Sequence, residues 1–575
     1  MRKISLVLVL AALAALAWFF FNRGGGSSSG NDPLDFVPAD TPYVFANFEP
    51  LPTDITERYL ALSSSAMPQW RAQLARVTAL LESEDDADAK RVLSWLRAVE
   101  TELASHADVK SLAEAFGMGM QAKVAIYGIG LAPVFRVSLA DPSHLTALVE
   151  RLETSAGEKL PRFTHEGVAA GWKLELPDAP IVGVAAIVEG HLVATLLPKG
   201  ESDAAAELLG LTRPKKSLVQ SGDLARLNRE MAFLPFGSGY IDTARVLALF
   251  QTPATPLERA FLSAMEAEKP AIPAECADDI KAIVASFPRA ILGYTEMNRD
   301  GLAALARIET SAAIAEDLKT LLAPTPGLAN AKNALMSFSF SLRPGALPAL
   351  GNRIADNTAK NPWTCPALAS LNEAAQKLRE SANNPAIYAA APMAYSLHVA
   401  VNRLVFNPDD EEHPVDVAGK LLIGSDNPAG LVAMSKSFVP QLAELNLTPG
   451  APPQAVPTEL TAAFSPEPVF AAQTATALGF SLGKGEETDL TDFLLTDAQG
   501  PQPLLHVSYR GELMASVAVM LRQVAEKMEA GPERDEMLAA VQSMEQGYAD
   551  HIEHAGMSVE FSGKGIELRQ EMVLK

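Results

Sequence analysis

The feature that most constrains the fold of this chain is an order of elements that recurs in its two halves. Residues 191–209 and 476–494 each contain an apolar stretch typical of a strand, a Lys-Gly-Glu tripeptide and the start of a helical pattern. Because identical tripeptides arise by chance in a long chain, the order of the neighbouring elements is the stronger evidence. The recurrence predicts a tandem duplication.

Four pairs of landmarks in the two halves support the duplication. The pairs are Tyr43 and Leu335, Pro142 and Pro428, Lys199 and Lys484, and Gly301 and Gly565. The first three pairs are separated by about 285 to 292 positions and the last pair by about 264. One deletion in the second half, opposite extra helix at residues 215–275, explains the shorter separation.

The Lys-Gly-Glu segment is interpreted as a structural connection between a strand and a helix. We predict that Gly200 and Gly485 adopt positive φ angles, which let the chain leave a strand sharply. Ser202 and Thr488 are residue types that cap helices. A loop that binds phosphate would carry several glycines and fewer acidic residues.

Each half mixes alternating apolar segments, typical of strands, with longer segments of helical periodicity. This pattern predicts the α+β class, with two tandem repeats that each form a largely antiparallel sheet with helices on one face. The predicted boundaries are residues 36–325 for the first repeat and residues 326–575 for the second.

The N-terminal segment predicts a membrane anchor. Arg2 and Lys3 precede an uncharged apolar run at residues 4–21, which as a helix would rise about 27 Å, close to the thickness of a bilayer core. Residues 1–23 are therefore predicted to form a transmembrane signal-anchor helix. The basic residues at the front place the rest of the chain outside the cytoplasm.

Cleavage as a signal peptide is the alternative, because Ala15-Leu16-Ala17 fits the small-residue rule. Cleavage there would leave a strongly apolar new terminus, which favours the uncleaved anchor. Residues 24–35 follow as a predicted flexible linker, since they begin with a run of glycine and serine.

The chain has two cysteines, Cys276 and Cys365, which would both lie in an oxidising compartment. They are candidates for one disulfide that ties the end of the first repeat to the start of the second. Two buried thiols whose helices never meet are the alternative. Spacing along the sequence leaves both interpretations open.

An envelope location suits serine acyl-enzymes, and two segments of the chain have the spacing of their motifs. Ser481 and Lys484 have the spacing of a Ser-x-x-Lys motif, and Ser425-Asp426-Asn427 matches a second motif of penicillin-binding enzymes. Their order is reversed and the third motif is missing, so the matches are attributed to chance. Asp426-Asn427-Pro428 is interpreted as a turn at the start of a helix, and no catalytic residue is predicted.

Metal, cofactor and nucleic-acid sites are not predicted either. His551 and His554 would supply only two ligands, and the acidic residues 407–416 lack the glycine of a calcium-binding EF-hand loop. The formal net charge of −22 opposes nucleic-acid binding. No cofactor-binding motif is present in the sequence.

A membrane segment followed by the turn Val-Pro-Ala-Asp-Thr-Pro and a strand, within residues 32–52, resembles the start of uncharacterised bacterial membrane-anchored envelope proteins of unknown function. The resemblance covers less than a tenth of the chain. It implies a bacterial source and a tethered domain outside the cytoplasm, and it carries over no activity and no functional residue.

The sequence therefore predicts a single-pass inner-membrane protein whose bulk is periplasmic. It would serve as a binding or scaffold protein of the bacterial envelope, with an unknown envelope protein or an apolar ligand as its partner. The alternative is a hydrolase of envelope polymers whose site is not visible in the sequence.

Overall fold

The structure is a computed structural model that describes residues 32–82, 87–175, 180–251, 253, 255–264, 273–391, 393–406, 415–462, 467–495 and 502–575. The predicted transmembrane helix (residues 1–23) and residues 24–31 of the predicted linker lie outside this description. Within it, no helix is both long and apolar enough to cross a membrane.

The described residues form an α+β fold with antiparallel strands. The strands are β1 (Tyr43–Ala46), β2 (Val124–Ile129), β3 (Ala132–Ser138), β4 (Val168–Glu175), β5 (Ile181–Val188), β6 (His191–Pro198), β7 (Ser238–Asp242), β8 (Arg289–Met297), β9 (Gly301–Glu309), β10 (Met336–Ser341), β11 (Ser396–Phe406), β12 (Val415–Gly424), β13 (Gln454–Ala455), β14 (Val469–Gln473), β15 (Ala477–Leu482), β16 (Leu505–Arg510), β17 (Ile552–Ser562) and β18 (Gly565–Leu574).

Helices occupy most of the long connections between these strands. They are α1 (Thr53–Ser64), α2 (Met67–Glu82), α3 (Ala87–Ser105), α4 (Val109–Ala115), α5 (Pro142–Ala156), α6 (Ala205–Leu208), α7 (Leu218–Ser221), α8 (Asp223–Met231), α9 (Thr243–Gln251), α10 (Pro256–Ala264), α11 (Ala277–Ser286), α12 (Ala312–Lys319), α13 (Leu347–Lys360), α14 (Ser370–Ala382), α15 (Pro385–Ala390), α16 (Pro428–Phe438), α17 (Thr458–Thr461), α18 (Leu490–Leu495), α19 (Gly511–Lys527) and α20 (Pro532–Ser543).

The end of the predicted linker is folded. Asp32 caps a 3-10 helix at Pro33–Phe36 by accepting a hydrogen bond from the Leu34 backbone N–H at 3.0 Å. Leu34 and Phe36 are each 1% exposed. Residues 32–35 therefore differ from the flexible linker predicted for residues 24–35, because two apolar side chains in this segment join the core.

The chain divides into two compact units whose boundaries differ from the predicted repeats. Among the described residues, the first unit contains those within 32–274, 288–304 and 525–547, and the second contains those within 275–287, 305–524 and 548–575. The first unit thus includes one segment of the predicted second repeat, and the second unit includes two segments of the predicted first repeat, residues 275–287 and 305–325. A boundary near residue 325 misses this exchange, because sequence order carries no information on which packed unit a helix joins.

Seven antiparallel pairings order the strands of the first unit as β4-β5-β6-β3-β2-β1-β7-β8. In the second unit, the strands pair in the order β13-β14-β15-β12-β11-β10-β16-β17-β18. Every pairing in the first unit has a counterpart in the second, with β1 matching β10 and β3 matching β12. The two sheets therefore share one strand topology.

The strand pairing aligns the two Lys-Gly-Glu segments one residue away from the predicted match of Lys199 with Lys484. His191 of β6 and Ala477 of β15 occupy the same place opposite β3 and β12. Counting along the chain from His191 and Ala477, Lys199 matches Gly485 and not Lys484. Gly483 has a φ angle of 99°, so the second segment leaves the regular strand conformation before the turn.

The predicted glycine conformations are present at both turns. Gly200 and Gly485 have φ angles of 96° and 91°, where a side chain would be strained. The Thr488 hydroxyl donates to the Gly485 carbonyl oxygen at 2.7 Å, and the Glu487 carboxylate accepts from the Gly485 N–H at 2.9 Å. The second Lys-Gly-Glu segment is thus a turn stabilised by hydrogen bonds between its own residues.

Helices cover both faces of the first sheet, so the prediction of helices on one face is wrong for this unit. Val134 of β3 belongs to a buried cluster with Leu224 of α8, and the next residue, Phe135, belongs to a second cluster with Leu148 of α5. Successive strand residues point to opposite faces. The nearly continuous apolar runs of β5 and β6 suit strands that are buried on both sides.

The second sheet has a buried cluster on the face that carries Ala400 and Leu422, where Phe493 and Leu494 of α18 pack. Phe480 of β15 pairs with Leu421, so it lies on the opposite face, where it packs against a cluster that contains Leu445. The Leu422 face is thus covered over β11 and β12, and the Leu421 face is covered at β14 and β15.

Cys276 and Cys365 form a disulfide, with their Cα atoms 4.5 Å apart. Both cysteines belong to the second unit, so the bond does not join the two units. The Asp279 carboxylate accepts hydrogen bonds from the backbone N–H groups of Thr364 and Cys365 at 2.8 and 2.6 Å. Disulfide and carboxylate together fix α11 to the segment between α13 and α14.

Candidate binding surface

Two corresponding helices, α5 and α16, follow the matching strands β3 and β12. Each begins with a proline, Pro142 or Pro428, whose missing N–H costs nothing at the first helical position. The side chain of the preceding residue caps each helix: Asp141 accepts from the Ser143 N–H, and Asn427 accepts from the Gly430 N–H, both at 2.9 Å. The interpretation of Asp426-Asn427-Pro428 as a helix start is thus observed.

The apolar stripe of α5 is packed onto the first sheet. Leu145 and Leu148, the third and sixth residues after Pro142, are 4% and 2% exposed. They share a buried cluster with Phe135 and Val137 of β3. The stripe therefore anchors α5 to its sheet.

The same stripe of α16 is exposed. Its third, sixth and tenth residues after Pro428 are Leu431, Met434 and Phe438. Met434 is 42% exposed and Phe438 is 78% exposed, and Leu431 is half-buried. Pro428 is the buried residue of this helix. The stripe positions of α16 thus carry apolar side chains as those of α5 do, but two of the three are exposed.

Three strands of the second sheet carry apolar side chains on the face opposite Leu422. Phe340 of β10 pairs with Leu397 of β11, and Val399 of β11 pairs with Leu421 of β12. Phe340, Leu397 and Leu421 are 42%, 38% and 36% exposed. These side chains form a contiguous apolar patch, because cross-strand neighbours on one face touch.

We call Phe340, Leu397, Leu421, Met434 and Phe438 the open apolar surface. Apolar residues scattered singly on a protein are ordinary, whereas a contiguous exposed group marks an interaction site. Three of these residues are neighbours on one sheet face and two lie on the helix that directly follows β12. The open apolar surface is the strongest candidate binding site among the described residues.

The different packing of α5 and α16 predicts different costs of truncation. Leu148→Ala should destabilise the first unit by about 3 kcal/mol, since it removes a fully buried side chain and leaves a cavity. Met434→Ala should change the unfolding free energy by less than about 0.5 kcal/mol, as an exposed substitution does. Urea unfolding of both variants provides the check. Equal costs would show that α16 is packed like α5.

A small apolar cleft lies in the first unit. It has a volume of about 100 Å³ and is lined mainly by apolar side chains of α1, α4 and the strands, including Leu60, Met118 and Val137, with Lys110 and Glu114 beside them. An apolar cavity of roughly 150 Å³ holds one benzene molecule. The cleft therefore fits only the tip of an apolar group.

A serine–histidine pair lies inside the second unit. The Ser337 hydroxyl is 3.1 Å from His398 Nε2, and His398 Nδ1 is 3.0 Å from the Pro326 carbonyl oxygen. This geometry resembles a nucleophile beside an oriented base. However, Ser337 is 1% exposed and His398 is 0% exposed, so no substrate reaches the hydroxyl in this conformation. The pair acts as a buried structural hydrogen bond.

Burial lowers the pKa of His398 to about 4, although the hydrogen bond to the Pro326 carbonyl opposes this shift and the charge of His506 adds to it. The folded pKa is below the unfolded value of about 6.5. The stability that neutral His398 contributes to the folded state is therefore fully present above pH 6.5 and is lost as the pH falls towards 4.

We predict that the second unit loses about 3 kcal/mol between pH 7 and pH 4 through His398, at one proton per molecule. His398→Gln should remove this part of the pH slope, whereas His165→Gln, which changes an exposed histidine, should retain it. Urea titrations with hydrogen exchange in β10 and β11 provide the measurement. An unchanged slope in His398→Gln would contradict the prediction.

A buried lysine explains the acidic residues of the second Lys-Gly-Glu segment. Lys420 of β12 is 2% exposed at its side chain, and its Nζ atom lies 2.6 Å from Glu486 and 3.0 Å from Asp489. Asn402 donates a further hydrogen bond to Glu486 at 2.7 Å. Glu486 thus neutralises a buried cation, a role that sequence reasoning missed because Lys420 is 66 residues away.

The first unit also buries a cation near its N-terminal segment. The Arg136 guanidinium carbon is 3.5 Å from the centre of the Phe36 ring, and that of Arg213 is 3.6 Å from the same centre. Arg136 also donates to the Leu209 carbonyl oxygen at 2.5 Å. Two guanidinium groups at such distances must lie on opposite sides of the ring. The arrangement fixes Phe36 in the core.

The other residues considered in the sequence do not assemble a catalytic or metal site. Ser481 is buried in β15 at 1% exposure, and His554 lies in β17, 3.8 Å from Glu571. Among the described residues, no group of three His, Cys, Asp or Glu side chains is placed to hold a metal ion. Residues 407–414 of the acidic segment lie outside the described part of the chain.

The open apolar surface was missed at the sequence level. Phe338 and Phe340 alternate with serines in β10, a pattern that ordinarily places aromatic residues inside and serines outside. The structure reverses this, since Ser337, Ser339 and Ser341 are each at most 1% exposed. The available signal in the sequence was the alternation of three small serines with larger apolar residues in β10.

No protein-family model, curated protein or solved structure matches this chain.

Proposed function

We propose that this chain is a membrane-tethered binding or scaffold protein of the bacterial envelope. Residues 4–21 would anchor it in the inner membrane, with the bulk of the chain in the periplasm. The disulfide between Cys276 and Cys365 supports a location outside the cytoplasm, because such bonds persist in oxidising compartments. The charge pattern at the N-terminus supports the orientation.

The proposal includes a duplication, in which the second repeat arose from a copy of the first. The strand-for-strand agreement of the two pairing orders supports it, as do the matching capped helices α5 and α16. Gly301 and Gly565 also occupy equivalent places, as the first residues of β9 and β18. In this interpretation the two copies have diverged in how they cover their sheets.

The observation that carries the binding function is the open apolar surface. The first unit buries the equivalent helix stripe and sheet face, whereas the second unit exposes Phe340, Leu397, Leu421, Met434 and Phe438. Keeping such side chains in water costs about 25 cal/mol for each Å² of apolar area. A partner that covers the surface recovers this free energy. The hydrolase alternative gains no support from Ser337, which is enclosed.

Site-specific photocrosslinking in the native bacterial envelope tests the binding function. A photoreactive phenylalanine analogue at position 438 or 421 should give discrete protein adducts in intact cells. The same analogue at position 80, an exposed apolar residue of the first unit, should give none. Absence of adducts at 438 and 421, with normal protein levels, would overturn the proposed function.

A further inference from the structure

We propose that Asn446 is the acceptor of an N-linked glycan. Residues 446–448 are Asn-Leu-Thr, the one match in this sequence to the acceptor motif Asn-x-Ser/Thr. This modification rests on the proposed function for its location, because the motif is glycosylated in chains exported from the cytoplasm. It adds a modification site that binding at the open apolar surface does not require.

The motif lies in an extended segment that precedes β13 in the second unit. Glu444, Asn446 and Thr448 are exposed. Leu445 is 6% exposed and has extended backbone angles, and the half-buried Leu447 packs against the same apolar cluster. Alternate residues of an extended chain point to opposite sides. The two leucines therefore hold the segment to the core, while the three polar side chains are displayed on the solvent side.

The backbone around Asn446 is fixed by hydrogen bonds. The Gln454 side chain accepts from the Asn446 N–H at 3.1 Å and donates to the Asn446 carbonyl oxygen at 2.6 Å. Thr448 precedes a proline, which favours an extended backbone at the threonine. The next turn is closed by the Ala451 N–H, which donates to the Thr448 carbonyl oxygen at 3.0 Å. The fold thus presents the asparagine and the threonine in a defined arrangement.

The side chains that a transferring enzyme would contact are available. The Asn446 Oδ1 accepts one long hydrogen bond, from Lys436 Nζ at 3.4 Å, and within the described part of the chain no oxygen accepts from its Nδ2. The Glu444 carboxylate has no ion-pair partner among the described residues. A cationic group of the enzyme can therefore bind Glu444 by a charge-assisted hydrogen bond, on the same side as the acceptor nitrogen.

The transfer uses an oligosaccharide linked to a polyprenyl diphosphate and a membrane-bound oligosaccharyltransferase. The Asn446 Nδ2 forms a bond to C1 of the first sugar as the C1–O bond to the diphosphate breaks. The lipid diphosphate leaves with the electron pair of that bond, and a base of the enzyme takes one proton from Nδ2. The proposed anchor at residues 4–21 would keep the chain at the membrane that holds this lipid-linked donor.

The test compares the full chain and its variants after purification from the native bacterial envelope. Tandem mass spectrometry of proteolytic peptides measures the glycosylated fraction at position 446. Thr448→Val removes the hydroxyl and keeps the asparagine, Thr448→Ser keeps a hydroxyl, and Glu444→Gln removes the carboxylate. The matched control is Asn361→Gln, which changes an exposed asparagine outside the motif. All four change exposed side chains, so urea unfolding should be the same for each variant.

We expect a glycan at Asn446 in the wild type, in Thr448→Ser and in the control. Thr448→Val should lower the glycosylated fraction by about tenfold or more, and Glu444→Gln by about threefold or more. An unmodified Asn446 in the wild type, or a glycan that persists in Thr448→Val, would overturn the inference. An unchanged fraction in Glu444→Gln would contradict the role of its carboxylate.

The outcome is separable from that of the proposed function. Crosslinked adducts at position 438 from a chain that carries no glycan would reject the glycan and retain the binding function. A glycan at Asn446 in a chain that gives no adducts would retain the modification site and reject the binding function.

Discussion

Replacing both cysteines, in Cys276→Ser/Cys365→Ser, should lower the unfolding free energy of the second unit by about 4–5 kcal/mol. The disulfide closes a loop with a sequence separation of 89 residues, and in the chain-entropy model a loop of this size stabilises by about that amount. The bond restricts the unfolded chain, which regains its freedom when the cysteines are replaced. Urea unfolding at equal protein concentration measures the loss.

Reduction of the wild-type protein should reproduce this loss without any substitution. The Asp279 hydrogen bonds to Thr364 and Cys365 do not depend on the sulfur atoms, so α11 should remain in place in the variant. Hydrogen exchange in α11 tests this point. A loss below about 1 kcal/mol would show that the disulfide does not restrict the unfolded chain as the entropy model requires.

Glu567→Gln should destabilise the second unit by about 3 kcal/mol, since removing one member of a buried ion pair leaves a charge in a poorly solvated site. The Glu567 side chain is 2% exposed and that of Arg307 is 9% exposed, with 2.7 Å between Oε1 and Nη2. Arg569 Nη2 is 2.5 Å from the other carboxylate oxygen. The variant withdraws a carboxylate partner from two guanidinium groups at once.

The matched control is Glu560→Gln, whose carboxylate is 21% exposed and lies 3.2 Å from Arg569. Its loss should cost below about 1 kcal/mol, as expected of a pair that water reaches. Unfolding by urea at pH 7 compares the two. Similar costs for both variants would mean that the burial of Glu567 is not what makes its ion pair important.

The Glu567 pair also predicts a difference at acid pH. Burial by itself raises the pKa of the carboxyl, but the Ser562 hydrogen bond and the charges of Arg307 and Arg569 outweigh burial, so the folded pKa is lowered. Stability from this group is present above the unfolded pKa of about 4.3 and is lost as the pH falls through the folded pKa. The advantage of the wild type over Glu567→Gln should therefore shrink below pH 4.

The sequence predicted much of the local structure for reasons that act over short range. Proline after Asp141 or Asn427 starts a helix because the cap and the missing N–H act within one turn. Gly200 and Gly485 mark turns because glycine, which has no Cβ atom, adopts positive φ angles without strain. Collinear landmarks also predicted a repeated order of elements, which supports the proposed duplication.

Other features depended on segments that are distant in the sequence. The partners of Lys420 lie 66 and 69 positions further along the chain, and nothing near the lysine indicates that it is buried. Cys276 and Cys365 had two open interpretations, which only the 4.5 Å Cα separation decides. The exchange of segments between the two units was likewise absent from the sequence prediction, because packing decides it.

The candidate site shows where sequence information ends. The alternation of Phe338 and Phe340 with serines determined by itself that β10 has one apolar and one polar face, since strand side chains alternate. Only the tertiary structure decided which face is covered: the serines are buried and Phe340 is 42% exposed. The physical reason is that a face is buried by elements from elsewhere in the chain, and a period of two residues carries no information about them.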